Sequence, residues 1–75
     1  MDDFGLRVRS LMDESSMSYK QFAELTGISE SGLKNWLYRK KSPNAASVLI
    51  IAEAFDVSCD WLLGLSNERK VRDGR

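Results

Sequence analysis

Apolar residues recur along the chain three or four positions apart, and no stretch sustains the alternation of a half-buried strand. Phe4, Val8, Leu11 and Met12 make one stripe, and Phe22, Ala23 and Leu25 a second. Leu33, Trp36 and Leu37 make a third. Ala45, Val48, Leu49, Ala52 and Phe55 make a fourth, with Ile51 at its side, and Trp61, Leu62 and Leu65 a fifth. That pattern predicts an all-α protein, a compact bundle of short helices.

Polar punctuation sets the boundaries. Ser18 followed by Gln21 is a capping box, and Met17 with Phe22 has the spacing of a hydrophobic staple around it. Ser29 repeats the staple with Ile28 and Leu33, and Ser58 repeats it with Val57 and Leu62. Before the fourth stripe, in KSPN, Asn44 is the cap and Pro43 blocks continuation from upstream. Five helices are expected over roughly 3–14, 18–25, 29–38, 44–55 and 58–65, with boundaries good to about 2–4 residues. The tail SNERKVRDGR has one apolar residue, Val71, and reads as disordered or as a linker. The organisation is then a single domain over 1–65 and a polar basic tail over 66–75, without internal repeats.

Gly27 sits where a left-handed residue would close the second helix, a conformation that glycine adopts cheaply. Ile28 then turns inward and Ser29 opens the third helix. Two short helices joined by a glycine-containing turn of about three or four residues form a helix-turn-helix. The turn alone fits an ordinary helical hairpin equally well. The third helix adds information. At 100° per residue, Glu30, Ser31, Lys34, Asn35 and Tyr38 share an arc of about 140°, opposite Gly32, Leu33, Trp36 and Leu37. Every side chain on the outer arc can hydrogen-bond, and Ser and Asn are weaker helix formers than a plain solvated face favours. Asn suits adenine and Lys suits guanine in the major groove. Gly32, on the inner arc, is read as allowing close packing of the third helix against the second.

From Met17 to Gly64 these pieces resemble the Cro and phage-repressor type of helix-turn-helix domain, the XRE family. The matching segments are FAELTGIS, then Leu33 and Trp36, Pro43, IAEAFDVS at 51–58 and DWLLG at 60–64. The resemblance implies a lambda-repressor-like bundle of five helices whose second and third form the DNA-reading unit. It also implies a transcriptional regulator, a bacterial or phage repressor, bound to a near-palindromic operator with helix 29–38 in the major groove. Carried over by position, Glu30, Ser31, Lys34 and Asn35 are expected to face the bases. Ser18, Tyr19 and Lys20, with Tyr38, Arg39, Lys40 and Lys41, are expected to hold phosphates. Two departures stand out. Tyr19 occupies a position where the family often has glutamine, and Arg39 one where it often has glycine, so the third helix could run longer. Glu30 can accept from cytosine N4 or simply stabilise the helix dipole; both readings stay open.

Composition narrows the alternatives. Seventy-five residues make one small domain near the limit of independent stability. One cysteine and no histidine argue against a disulfide, a metal centre or a common catalytic dyad, and fit a reducing cytoplasm. No enzyme and no cofactor are expected. No apolar run reaches the roughly 18 residues of a membrane span, and the N-terminus lacks the pattern of a signal peptide. Eleven basic and eleven acidic residues cancel overall but not locally. Residues 33–43 carry four bases and no acid, between two segments that are each net negative. The cations Lys34, Arg39, Lys40 and Lys41 thus gather where a docked third helix would meet DNA. The expected partners are double-stranded operator DNA and a second copy of the chain, with Trp61, Leu62 and Leu65 supplying the dimer contact. A protein-interaction module of the same fold, such as an antitoxin-like subunit, is the competing reading. The sequence leaves open whether it is a complete regulator or part of a longer repressor.

Overall fold

The computed structural model describes residues 3–70. Among these, five α-helices follow one another: α1 (Asp3–Glu14), α2 (Tyr19–Thr26), α3 (Glu30–Tyr38), α4 (Ala45–Phe55) and α5 (Cys59–Leu62). Each expected cap is the residue just before its helix. The Oγ atoms of Ser18, Ser29 and Ser58 and the side-chain oxygen of Asn44 each accept the N–H three residues on, which satisfies a donor the helix cannot. One end departs clearly from expectation, and the end of α3 falls at Tyr38 as expected. Helix α5 stops at Leu62 instead of 65, because Gly64 turns left-handed at φ 79° and the Leu65 N–H returns to the Asp60 carbonyl. Helix α3 does not run on through Arg39. The left-handed residue is Lys40, at φ 56°, one position later than the expected glycine.

The core is built from all five helices: Phe4, Val8, Leu11 and Met12 of α1, Phe22 of α2, Leu33 and Trp36 of α3, Val48, Ile51 and Ala52 of α4, and Trp61 and Leu62 of α5, with Val57 from the turn before it. Phe4 meets Trp36 edge-on at 5.0 Å between ring centroids. Helix α1 comes close to α3 because residue 5 is glycine: a Cβ there would lie 2.5 Å from the Trp36 carbonyl oxygen. Leu25, assigned to the inner stripe of the second helix, is instead half exposed, and Thr26 is buried in its stead. The geometry explains this, since a residue four positions after Phe22 lies closer to its direction than one three positions after it. Burial leaves no polar atom of Thr26 unsatisfied. Its Oγ1 donates to the Phe22 carbonyl at 2.8 Å and accepts from the Ile28 N–H at 3.1 Å.

Residues 66–70 return to the bundle. The Arg7 guanidinium donates to the carbonyls of Trp61 and Ser66, both at 2.9 Å. The Ser58 N–H donates to the Arg69 carbonyl and its hydroxyl to that of Glu68. Arg69 binds Glu14 with two hydrogen bonds, at 2.8 and 2.9 Å. Arg7 and Arg69 each stack on the Trp61 ring, about 5 Å from its centroid. The remainder of the tail, residues 71–75, lies outside the described residues.

Candidate nucleic-acid interface

The site is assembled from the turn outward. Helix α2 is fixed at its start by the full capping box: Ser18 Oγ accepts from Gln21 N–H at 3.1 Å, and Gln21 Oε1 accepts from Ser18 N–H at 2.8 Å. Gly27 ends it at φ 76°, with its N–H on the Ala23 carbonyl. Ile28 packs against the core and Ser29 caps α3. Leu33 and Trp36 then anchor the inner side of α3. That anchoring leaves Glu30, Ser31, Lys34 and Tyr38 exposed on the outside, with Asn35 partly buried beside them.

Gly32 does not serve the packing of α3 against α2. A Cβ there would meet Ser29 Oγ at 3.3 Å and Ile28 Cγ2 at 3.5 Å, atoms of the turn rather than of α2. The glycine therefore eases the first turn of α3 over its own cap.

The outer face divides into two neighbourhoods. Ser31, Lys34, Asn35 and Arg39 line one shallow concavity. Beside it lie two tyrosines from different helices, Tyr19 of α2 and Tyr38 of α3, with hydroxyls 2.6 Å apart. The Lys34 ammonium lies 5.6 Å from the centre of the Tyr19 ring. The hydrogen bond from Tyr19, and then the nearby Arg9 and Lys34, hold the Tyr38 hydroxyl below the usual phenol value. The same hydrogen bond holds the Tyr19 proton more tightly than usual. Arg9 itself lies on α1, in an exposed pair with Asp13 at 3.4 Å. Sequence reasoning missed Arg9; its position on the polar side of α1 was the available signal, and nothing there pointed towards α3.

Ser18 and Lys20 are exposed at the start of α2. Lys40 and Lys41, past the far end of α3, line a separate small cavity of about 40 Å³ with Phe4, Gly5, Trp36, Ser42 and Pro43. Of the three residues expected at a dimer contact, Leu62 is fully buried and Trp61 nearly so, while Leu65 is 73 % exposed. Leu65 alone has side-chain surface left to offer. Among the described residues no cluster of His, Cys, Asp and Glu is arranged to hold a metal ion, and no helix is long and apolar enough to cross a membrane.

A turn of this geometry, followed by a helix with an apolar inner side and a polar outer one, defines a helix-turn-helix domain. A family profile described as helix-turn-helix matches residues 8–62, and the chain belongs to that family, in its XRE type. It is also similar to an uncharacterized HTH-type transcriptional regulator, YobD, of Bacillus subtilis (strain 168). The two are 32 % identical over 62 residues, covering 83 % of this chain and 55 % of the relative. The chain therefore spans about half the length of that protein. No solved structure matches significantly.

Proposed function

We propose that this domain is a sequence-specific DNA-binding transcriptional regulator, acting as a repressor in the cytoplasm of a bacterium or of a phage-infected host. The observation that carries the reading is the outer face of α3, where Ser31, Lys34 and Asn35 share one concavity beside the cations that follow the helix. An α-helix fits the major groove, and each of these side chains has a partner there. Asn35 pairs with adenine N6 and N7, Lys34 with guanine, and Ser31 with either kind of acceptor or donor. Glu30, at the first turn of α3, accepts from cytosine N4 or stabilises the helix dipole.

Phosphate contacts fix the register of such a helix. Ser18, Tyr19 and Lys20 provide them on the α2 side, with Tyr38 joined to Tyr19. Lys40 and Lys41 provide them past the end of α3. A second copy, meeting the first through Leu65, sets two α3 helices about 34 Å apart, one turn of a near-palindromic operator. Because the chain carries no net charge, attraction to random DNA is weak, and affinity depends on base contacts and pairing.

A protein-interaction role draws support from one feature, the exposed Leu49 and Ile50 on the outside of α4. Affinity measured against salt separates the two readings. On a site selected from random DNA, Asn35→Ala is expected to lose about 1–3 kcal/mol and to relax choice at one position, with the salt slope unchanged. Lys40→Ala is expected to weaken selected and scrambled sites alike and to lower the slope by about one. Equal losses and equal slopes for both variants would exclude α3 as the reading element and favour the protein-interaction role.

A further inference from the structure

The three consecutive cations after α3 do not share one surface. Lys40 turns left-handed at φ 56°, and from there the backbone leaves the helix axis. Lys40 and Lys41 face the cavity beside Phe4 and Pro43, whereas Arg39 lines the concavity of Ser31, Lys34 and Asn35. Arg39 still has right-handed backbone angles, φ −106° and ψ −2°, and its N–H closes a last helical bond to the Asn35 carbonyl at 3.0 Å. Ser31 and Asn35 are thus one step of four apart on α3, a drift of only about 40°, and Arg39, the residue that caps the helix, follows Asn35 by four more. Among the described residues no ion pair or side-chain hydrogen bond engages the guanidinium. Lys34, the other cation on this face, is drawn towards Tyr19.

We infer that Arg39 is a specificity-determining residue that reads a guanine in the major groove, at the end of a Ser31–Asn35–Arg39 row, rather than a phosphate contact like its two neighbours. The guanidinium presents two parallel donors to guanine O6 and N7, the commonest specific contact between a side chain and a base. A free guanidinium in line with two other base-facing side chains has the position for it. A lysine, with one compact charge, reproduces only part of that geometry. The row also implies an order along the half-site: the guanine lies beyond the base read by Asn35, on the side away from Ser31.

This inference rests on the DNA-binding reading above, and its test is built so that the two fail differently. A preferred site is first selected with the parent domain, and each guanine in it is then replaced by 7-deazaguanine, which lacks N7. One guanine per half-site is expected to lose several-fold affinity for the parent on this replacement and nothing for Arg39→Ala. On the unmodified site, Arg39→Ala is expected to bind about ten- to a hundredfold more weakly and to stop discriminating at that position. Arg39→Lys should keep part of the preference. Lys41→Ala should weaken all sequences alike. An Arg39→Ala that behaves like Lys41→Ala, with 7-deazaguanine costing it as much as the parent, overturns the inference while leaving the domain a DNA reader. A parent that selects no sequence overturns the DNA-binding reading itself, and this inference with it.

Discussion

The chain makes nearly the same turn twice, once between α2 and α3 and once between α4 and α5. FAELTGIS and IAEAFDVS hold corresponding residues at corresponding places. Gly27 and Asp56 are both left-handed, at φ 76° and 55°. Ile28 and Val57 point inward, and Ser29 and Ser58 cap the next helix with an identical bond, each at 3.0 Å. The differences begin with the second N–H of the turn. That of Val57 goes to the Ala52 carbonyl, while that of Ile28 goes to the hydroxyl of Thr26. They grow after the cap. Helix α3 runs nine residues and shows an outer face of Ser, Lys and Asn; α5 runs four and is followed by a segment that folds back over Trp61. The same local chemistry thus builds one turn that presents a surface and one that closes the bundle. The turn is common to both; what sets them apart is the length and the outward side chains of the helix after it.

The largest expected effect breaks the likeness at its left-handed residue. No atom lies within 4 Å of where a Cβ on Gly27 would stand, so a substitution there costs backbone strain and little else. Gly27→Val is expected to lose about 1–3 kcal/mol and to lower the melting temperature by roughly 10 °C. Gly27→Asp should cost clearly less, because the second turn already holds an aspartate in that conformation. The reverse change, Asp56→Gly, relieves strain but loosens the unfolded chain and gives up the interaction that Asp56 makes, and should not raise stability by more than about 1 kcal/mol. Thermal unfolding of the three variants checks the set. A Gly27→Val that melts with the parent would mean that the first turn does not need its glycine.

The next effect sharpens the difference between the two serines. Loss of either cap costs about 1 kcal/mol. Ser29→Ala stops there, whereas Ser58→Ala also removes the hydroxyl that donates to Glu68. Hydrogen exchange should therefore show faster opening around residues 66–70 in Ser58→Ala and not in Ser29→Ala. Identical profiles would mean that the returning segment is held without Ser58.

Much of this was legible because the capping residues act locally. Ser18, Ser29, Asn44 and Ser58 mark helix starts through bonds to residues three positions on, and such bonds can be read from the sequence alone. The outer face of α3 was legible for a similar reason, since one helix and one angular step define it. What escaped depends on distant parts of the chain. Nothing near Gly5 announces that Trp36 needs its space, and nothing near Arg9 announces Tyr38. The tail carries too few apolar residues to suggest order. What holds residues 66–70 is charge and hydrogen bonding to residues more than fifty positions earlier, through Arg7 and Glu14. Leu25 and Thr26 show the limit of an apolar stripe, because a threonine that satisfies its own hydroxyl can take a buried position from a leucine. The repeated staple and cap of the two turns could be read from the sequence, but the left-handed backbone at Asp56 could not, since no glycine marks it.

The smallest expected effect concerns pH at the closing turn. The hydrogen bonds from Arg69 hold the Glu14 carboxyl below its ordinary value. When residues 66–70 let go, Glu14 regains that value. The pair therefore contributes fully above the ordinary carboxylate range of about 4, and its contribution is lost as pH falls through the depressed value of the closed form. Both groups are well exposed, so the effect on global stability is slight. The local effect should be visible at Trp61, on which Arg69 stacks. In an acid titration followed by the Trp61 indole resonance, the parent should show a transition below about pH 4 as Arg69 departs. Glu14→Gln should show at neutral pH the shift that the parent reaches in acid, and no transition of its own. No such step is expected at the first turn, where Ser29 and Gly27 carry no titrating group. If the Trp61 resonance of Glu14→Gln follows the parent through the acid range, another carboxylate controls the closing segment and the role given to Glu14 is wrong.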